Sequence, residues 1–228
     1  MPKSSIGLAT KALAVLRKDI RSEYRSRYAI NAILLFGVTT LTVVSVSVGQ
    51  TSLQPPVYSA LFWIIIFFSA MSGLSQVFVK EEESKTVTIL KLTSDPTPVY
   101  LGKLVFNFLL LVLLEIIVAP LFFIMTDARL QDPILFLTIQ LLGSIGLAGA
   151  TTLIAAIISK AGIKGALFAV LSFPLLLPLL IGSINGTTKA LETTEGLAGA
   201  ATELRLLASY AVVMITASLL LFDQVWEE

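Results

Sequence analysis

Long apolar runs separated by short polar ones set the pattern of this chain. No Asp, Glu, Lys or Arg lies between Arg27 and Lys80, between Asp132 and Lys160, between Lys164 and Lys189, or between Arg205 and Asp223. Glu115 alone interrupts the run from Lys103 to Asp127. A membrane-crossing helix needs about 20 mostly apolar residues. The first run holds two such helices, divided at Gly49-Gln50-Thr51-Ser52 and Pro55-Pro56. The pattern therefore predicts six spans, near 29–49, 57–79, 104–125, 134–158, 166–186 and 206–222. Residues 197–201 could extend the sixth upstream, placing Glu203 and Arg205 at an interface or in a short re-entrant turn. The runs are about twice the length of barrel strands and lack two-residue alternation, so they read as helices. The expected fold class is an all-α polytopic membrane protein. Residues 1–228 read as one transmembrane domain, with 1–28 as a cytoplasmic amphipathic helix ahead of the spans.

Composition narrows the chemistry. Apolar residues make up 56% and charged residues 14% of the chain, against about 25% charged in soluble domains, which excludes a soluble enzyme. Cysteine and histidine are both absent. That removes disulfides, Cys/His metal sites, His bases and any Ser/His/Asp triad. There is no Gly-rich loop ending in Gly-Lys-Ser/Thr, so ATP hydrolysis is expected on a separate chain. The net charge of +1 gives no basic field for nucleic acid.

Lys and Arg set the expected orientation. Thirteen of them fall on segments 1–28, 80–103 and 159–165, and three on the opposite side. The positive-inside rule then puts both termini in the cytoplasm. The first apolar run is too long, and too far from the start, for a cleaved signal. In the lead-in, Leu13, Leu16, Ile20 and Tyr24 follow helical spacing, and Lys11, Arg17, Lys18, Arg21 and Arg25 occupy other faces. This suits a helix lying on the lipid surface.

Segment 80–103 carries Glu81, Glu82 and Glu83, then Thr86, Val87 and Leu90, and turns at Asp95-Pro96-Thr97-Pro98. Its prolines disfavour helix there. Residues 81–93 fit either a short helix or an extended strand, covered by lipid or by a groove in a partner. Glu115 sits near the middle of the third span, where a carboxylate costs ~2.5–3.5 kcal/mol. It is expected to face the bundle interior, as a functional group or as a helix–helix hydrogen bond. A protonated Glu115 would be able to donate to a carbonyl freed in the fifth span. Pro120 lies five residues further on. In the fifth span Pro174 and Pro178 share a face and delete two backbone donors, which marks a hinge, a cavity or a fixed kink. Gly143, Gly146 and Gly149 allow close helix approach in the fourth span. Trp63 reads as core, and Trp226 as part of an interfacial belt.

Four features together give a family resemblance: Phe78-Val79-Lys80-Glu81 running to Thr86, Leu90, Leu92 and Pro96, then Gly102-Lys103; Leu114-Glu115 followed by Pro120-Leu121; a small-residue span leading into Lys160-Ala161-Gly162-Ile163-Lys164-Gly165; and Pro174-x-x-x-Pro178-Leu-Leu-Ile. In this order the chain resembles an ABC-2 type permease subunit, and in detail the CcmB family, haem exporter protein B of cytochrome c maturation. It departs at Lys85-Thr86-Val87, where the family commonly has Gly-Thr-Leu, and at Ser94-Asp95-Pro96. The resemblance implies a non-catalytic inner-membrane subunit working with a CcmA-like ATPase that holds ATP and Mg. It also implies CcmC- and CcmD-like membrane proteins and the haem chaperone CcmE. Haem is then handled by the complex, with no cofactor bound by this chain alone. The ATPase-docking residues would be Glu81, Glu82, Glu83, Thr86, Val87, Leu90 and Pro96. Glu115, Pro120, Pro174 and Pro178 would be the intramembrane functional candidates. The alternative is an ABC-2 type exporter moving haem, a lipid or a glycan.

Overall fold

The computed structural model describes residues 7–49, 52–74, 95–161 and 166–227, with side chains left undescribed for 159–169, 225 and 227. Every regular element among them is a helix: α1 (Leu8–Ser26), α2 (Tyr28–Val48), α3 (Pro55–Leu74), α4 (Pro96–Thr126), α5 (Pro133–Ala161), α6 (Ala166–Glu192), the single turn α7 (Gly196–Gly199) and α8 (Ala201–Glu227). Six of them, all but α1 and α7, are long and apolar enough to cross a membrane.

The starts follow proline. Pro55, Pro96 and Pro133 each open a helix, where the first N–H groups have no partner in the helix and a missing donor costs nothing. For this reason α4 begins at Pro96 and not near 104: Pro96 and Pro98 sit in its first turn, although the same residues read as non-helical in sequence. At α5, the Asp132 carboxylate accepts from the Leu135 N–H at 2.9 Å, a side-chain cap. The N–H groups of Gln131 and Asp132 donate to the Ala190 carbonyl at 3.1 and 2.9 Å, tying this turn to the end of α6.

The sixth crossing also starts earlier than 206. Residues 196–199 form α7, and α8 starts at Ala201. Lys189 holds the junction, donating to the Gly199 carbonyl at 2.9 Å and to the Glu203 carboxylate at 2.8 Å. A cation that bridges a helix end and an acidic first turn lets α8 extend beyond its purely apolar stretch.

Helix α5 runs through the middle of the bundle, packed on α3, α4, α6 and α8. Its small residues make that possible. The Trp63 ring of α3 covers Gly143, and a Cβ at Gly146 would come within 2.6 Å of Leu179 and 3.1 Å of Tyr210. Trp63 is fully buried, and its indole N–H donates to Thr187 at 2.9 Å. Phe62, Phe122, Phe123 and Phe136 pack edge-on or tilted between α3, α4 and α5. Trp226 departs from its interfacial expectation. It is buried and stacked on Phe222 at 5.5 Å, and Phe222 in turn lies 5.4 Å from Tyr100. The end of α8 folds its aromatics onto α4, which removes the ring from the lipid surface.

Candidate functional site

Two sets of polar contacts distinguish α4, one at its N-terminal end and one within its apolar length.

At the N-terminal end α4 is joined to α1. Gly102 lies against α1 so closely that a Cβ there would come within 2.7 Å of the Val15 Cβ and 2.8 Å of the Ala12 carbonyl. Lys103 is 1% exposed and its ammonium lies 3.4 Å from the Asp19 carboxylate. At the surface, Lys11 pairs with Asp95 at 2.6 Å. The face α1 turns to the protein is thus Ala12, Val15, Asp19 and Glu23. The apolar stripe read from the sequence points elsewhere: Leu13, Ile20 and Tyr24 are exposed, and Leu16 is partly buried. The reason is that small and acidic residues fit against Gly102 and Lys103, whereas larger apolar ones do not. Buried Glu23 accepts from the Ile30 N–H at 3.0 Å and so caps α2. Arg27 alone joins α1 to α2, in a left-handed conformation with φ 51°.

Within the bundle, α4 and α5 run antiparallel and share a polar seam. The Asn107 amide donates to the Thr152 hydroxyl at 2.8 Å. Eight residues along α4, about 12 Å, the Ser144 hydroxyl donates to the Glu115 carboxylate at 2.5 Å. Glu115 is buried, at 6% exposure, so its side chain does face protein. Its partner is on the fourth span, not the fifth. In the fifth span Pro174 and Pro178 withdraw donors from the carbonyls of Val170 and Pro174. Tyr210 of α8 donates to the Leu175 carbonyl at 3.0 Å, one residue beyond the carbonyl that Pro178 leaves without a helical donor. Pro174 and Pro178 themselves lie exposed on an unbroken α6.

Beside Glu115 a cleft of about 500 Å³ opens between α4 and α5. Its wall is apolar apart from Glu115 and Gln140, and it includes Ile116 and Pro120. Pro120 is exposed there, inside an unbroken α4. Among the described residues no group of three or more acidic side chains could hold a metal.

Of the docking residues expected from sequence, Pro96 opens α4, while Glu81, Glu82, Glu83, Thr86, Val87 and Leu90 lie outside the described residues. The residues that sequence reasoning passed over are Ser144, Gln140, Asn107, Thr152 and the Lys103–Asp19 pair. Gln140 was visible as an amide in a charge-free run. The pairing of 107 with 152 and 115 with 144 shows only once α4 and α5 are known to be neighbours.

No curated protein matches the chain. The family model described as CcmB protein matches residues 10–224, which takes in α4, α5, the seam between them and nearly all of α1. The chain belongs to the CcmB family, and is a membrane permease subunit of the haem-exporter type in the cytochrome c maturation system.

Proposed function

We propose that this subunit couples ATP hydrolysis on a separate CcmA-like chain to haem handling and to release of the haem-loaded chaperone CcmE. It sits in the inner membrane with both termini cytoplasmic and works beside CcmC- and CcmD-like proteins. The observation that carries this reading is the construction of α4. The helix starts at Pro96, where the proposed docking segment 81–96 ends, and α1 is fixed to the same end through Gly102, Lys103 and Asp95. From there α4 runs unbroken for 31 residues, about 46 Å at 1.5 Å per residue. That exceeds the ~30 Å apolar thickness of a bilayer. A push on residues 81–96 by a closing ATPase therefore moves one stiff rod, with Glu115 and its seam to α5 part of the way along.

In this reading Val87 and Leu90 are the apolar anchors, each worth ~1–2 kcal/mol, and Glu81, Glu82 and Glu83 meet basic groups of the ATPase. Thr86 and Pro96 shape the segment. Co-purification from membranes tests it. The double change Val87→Asp/Leu90→Asp should release the ATPase and leave the permease in the membrane. ATPase recovered at wild-type yield would overturn the docking assignment.

An exporter moving haem, a lipid or a glycan is the second reading, favoured by the cleft beside Glu115. Two polar side chains in an apolar wall suit a charged cargo poorly. Reconstitution with the ATPase and haem partners, scoring haem movement and CcmE release separately, distinguishes the two.

A further inference from the structure

Helix α1 carries three stripes. One is its contact with α4 through Ala12, Val15 and Asp19. The second is apolar: Leu13, Ile20 and Tyr24 are 43%, 44% and 76% exposed. The third is basic. Arg17, Arg21 and Arg25 recur every four residues, all exposed, over about 12 Å of helix. A concavity of about 730 Å³ lies along them, and its described lining includes Arg17, Lys18, Arg21, Ser22 and Arg25. Like charges four residues apart destabilise a helix, so the row gains from counter-charge. Helix α1 does not supply it. Its two acids are turned to the protein, Asp19 at Lys103 and Glu23 at the Ile30 N–H. Among the described residues no carboxylate pairs with Arg17, Arg21 or Arg25.

The position of α1 says where the counter-charge lies. Arg27 alone separates it from α2, which is long and apolar enough to cross the membrane, so the end of α1 that carries Arg25 is held at the edge of the bilayer. An exposed apolar stripe beside a cationic row matches the boundary between acyl chains and headgroups. An acidic surface in the aqueous phase would satisfy the arginines and leave Leu13, Ile20 and Tyr24 in water. We propose that α1 recognises anionic phospholipids, with Arg17, Arg21 and Arg25 on the headgroup phosphates and the apolar stripe on the acyl chains. Planar guanidinium groups take phosphate oxygens two at a time. A phosphatidylcholine headgroup also offers a phosphate, but its own choline cancels the charge, whereas phosphatidylglycerol keeps it.

Fluorescence quenching tests this on the full chain, in vesicles of phosphatidylcholine and phosphatidylglycerol in equal parts. The chain has no cysteine of its own, so a fluorophore can be attached at Ile20→Cys, where chain-brominated lipid quenches it on contact. The bromines are carried first by one lipid and then by the other. Quenching should report about five-fold local enrichment of phosphatidylglycerol, the preference that one cation near an anionic surface provides. The triple change Arg17→Gln/Arg21→Gln/Arg25→Gln should bring the two lipids to parity without ending the quenching by phosphatidylcholine. With the arginines in place, molar salt should also bring parity, a measurement that stands even if the triple variant does not accumulate. Parity at low salt with the arginines in place, enrichment that survives the glutamines, or a label that neither lipid quenches would each overturn the proposal. The last is the result expected if another protein covers α1.

Discussion

Glu115 is held by a hydroxyl, and that decides what its replacement does. Glutamine keeps an oxygen for the Ser144 O–H, whereas leucine keeps none. Glu115→Gln should therefore retain most cytochrome c maturation in a complemented strain, and Glu115→Leu should lose it. Failure of both, with the complex still assembled, would mean that the charge is essential. Full activity of the leucine variant would leave Glu115 without a role. Ser144→Ala should lower thermal stability in detergent by about 1–3 kcal/mol, because it takes the donor from a buried carboxylate. Gly102 makes a different prediction. A valine there drives Cβ and two methyl groups into Val15 and the Ala12 carbonyl, and overpacking of this kind costs about 1–3 kcal/mol. Limited proteolysis after Arg17, Arg21 and Arg25 should become faster as α1 lifts from α4, and an unchanged rate would show that the two helices are not clamped there.

Helices α4 and α6 run unbroken through their internal prolines. In α6 the Tyr210 hydroxyl reaches the Leu175 carbonyl beside the Pro178 gap. Tyr210→Phe should speed amide hydrogen exchange across residues 175–179 by about five-fold, the equivalent of one hydrogen bond, with little change in α4 or α5. The same local logic explains what could be read from the sequence. Six crossings were legible because charge-free length is a property of each segment alone. Their ends were less so: Pro96 and Pro98 break a helix interior yet suit a first turn, and α8 gained a turn because Lys189 reaches Glu203 across a loop. The burial of Glu115 followed from its cost in hydrocarbon, but its partner depended on which helix lies alongside α4. The apolar periodicity of α1 marked the stripe that Leu13, Ile20 and Tyr24 leave exposed, whereas its protein face was set by the fit of Ala12, Val15 and Asp19 to Gly102 and Lys103, which periodicity does not show. Residues 81–90 lie outside the described residues, so their docking role rests on the resemblance and the amphipathic pattern.

Across the whole molecule, the distribution of Lys and Arg predicts which side each turn faces. The chain has no cysteine, so single ones can be introduced as reporters. A cysteine at Thr193 should react with an impermeant maleimide in intact cells and one at Thr88 should not, and the reverse pattern would invert the map. The α4–α5 seam bears on how the chain is made. Helix α4 leaves the ribosome before α5, so Glu115 arrives in the bilayer ahead of Ser144, the group that later shields it. For that interval the carboxylate must be tolerated by α4 alone, and α4 is the most apolar of the six crossings, enough to offset a penalty of ~2.5–3.5 kcal/mol. Its surplus of leucine and isoleucine is thus a provision for biogenesis: the segment can partition from the translocon unaided, then wait in the lipid for its sibling to arrive and close the pair.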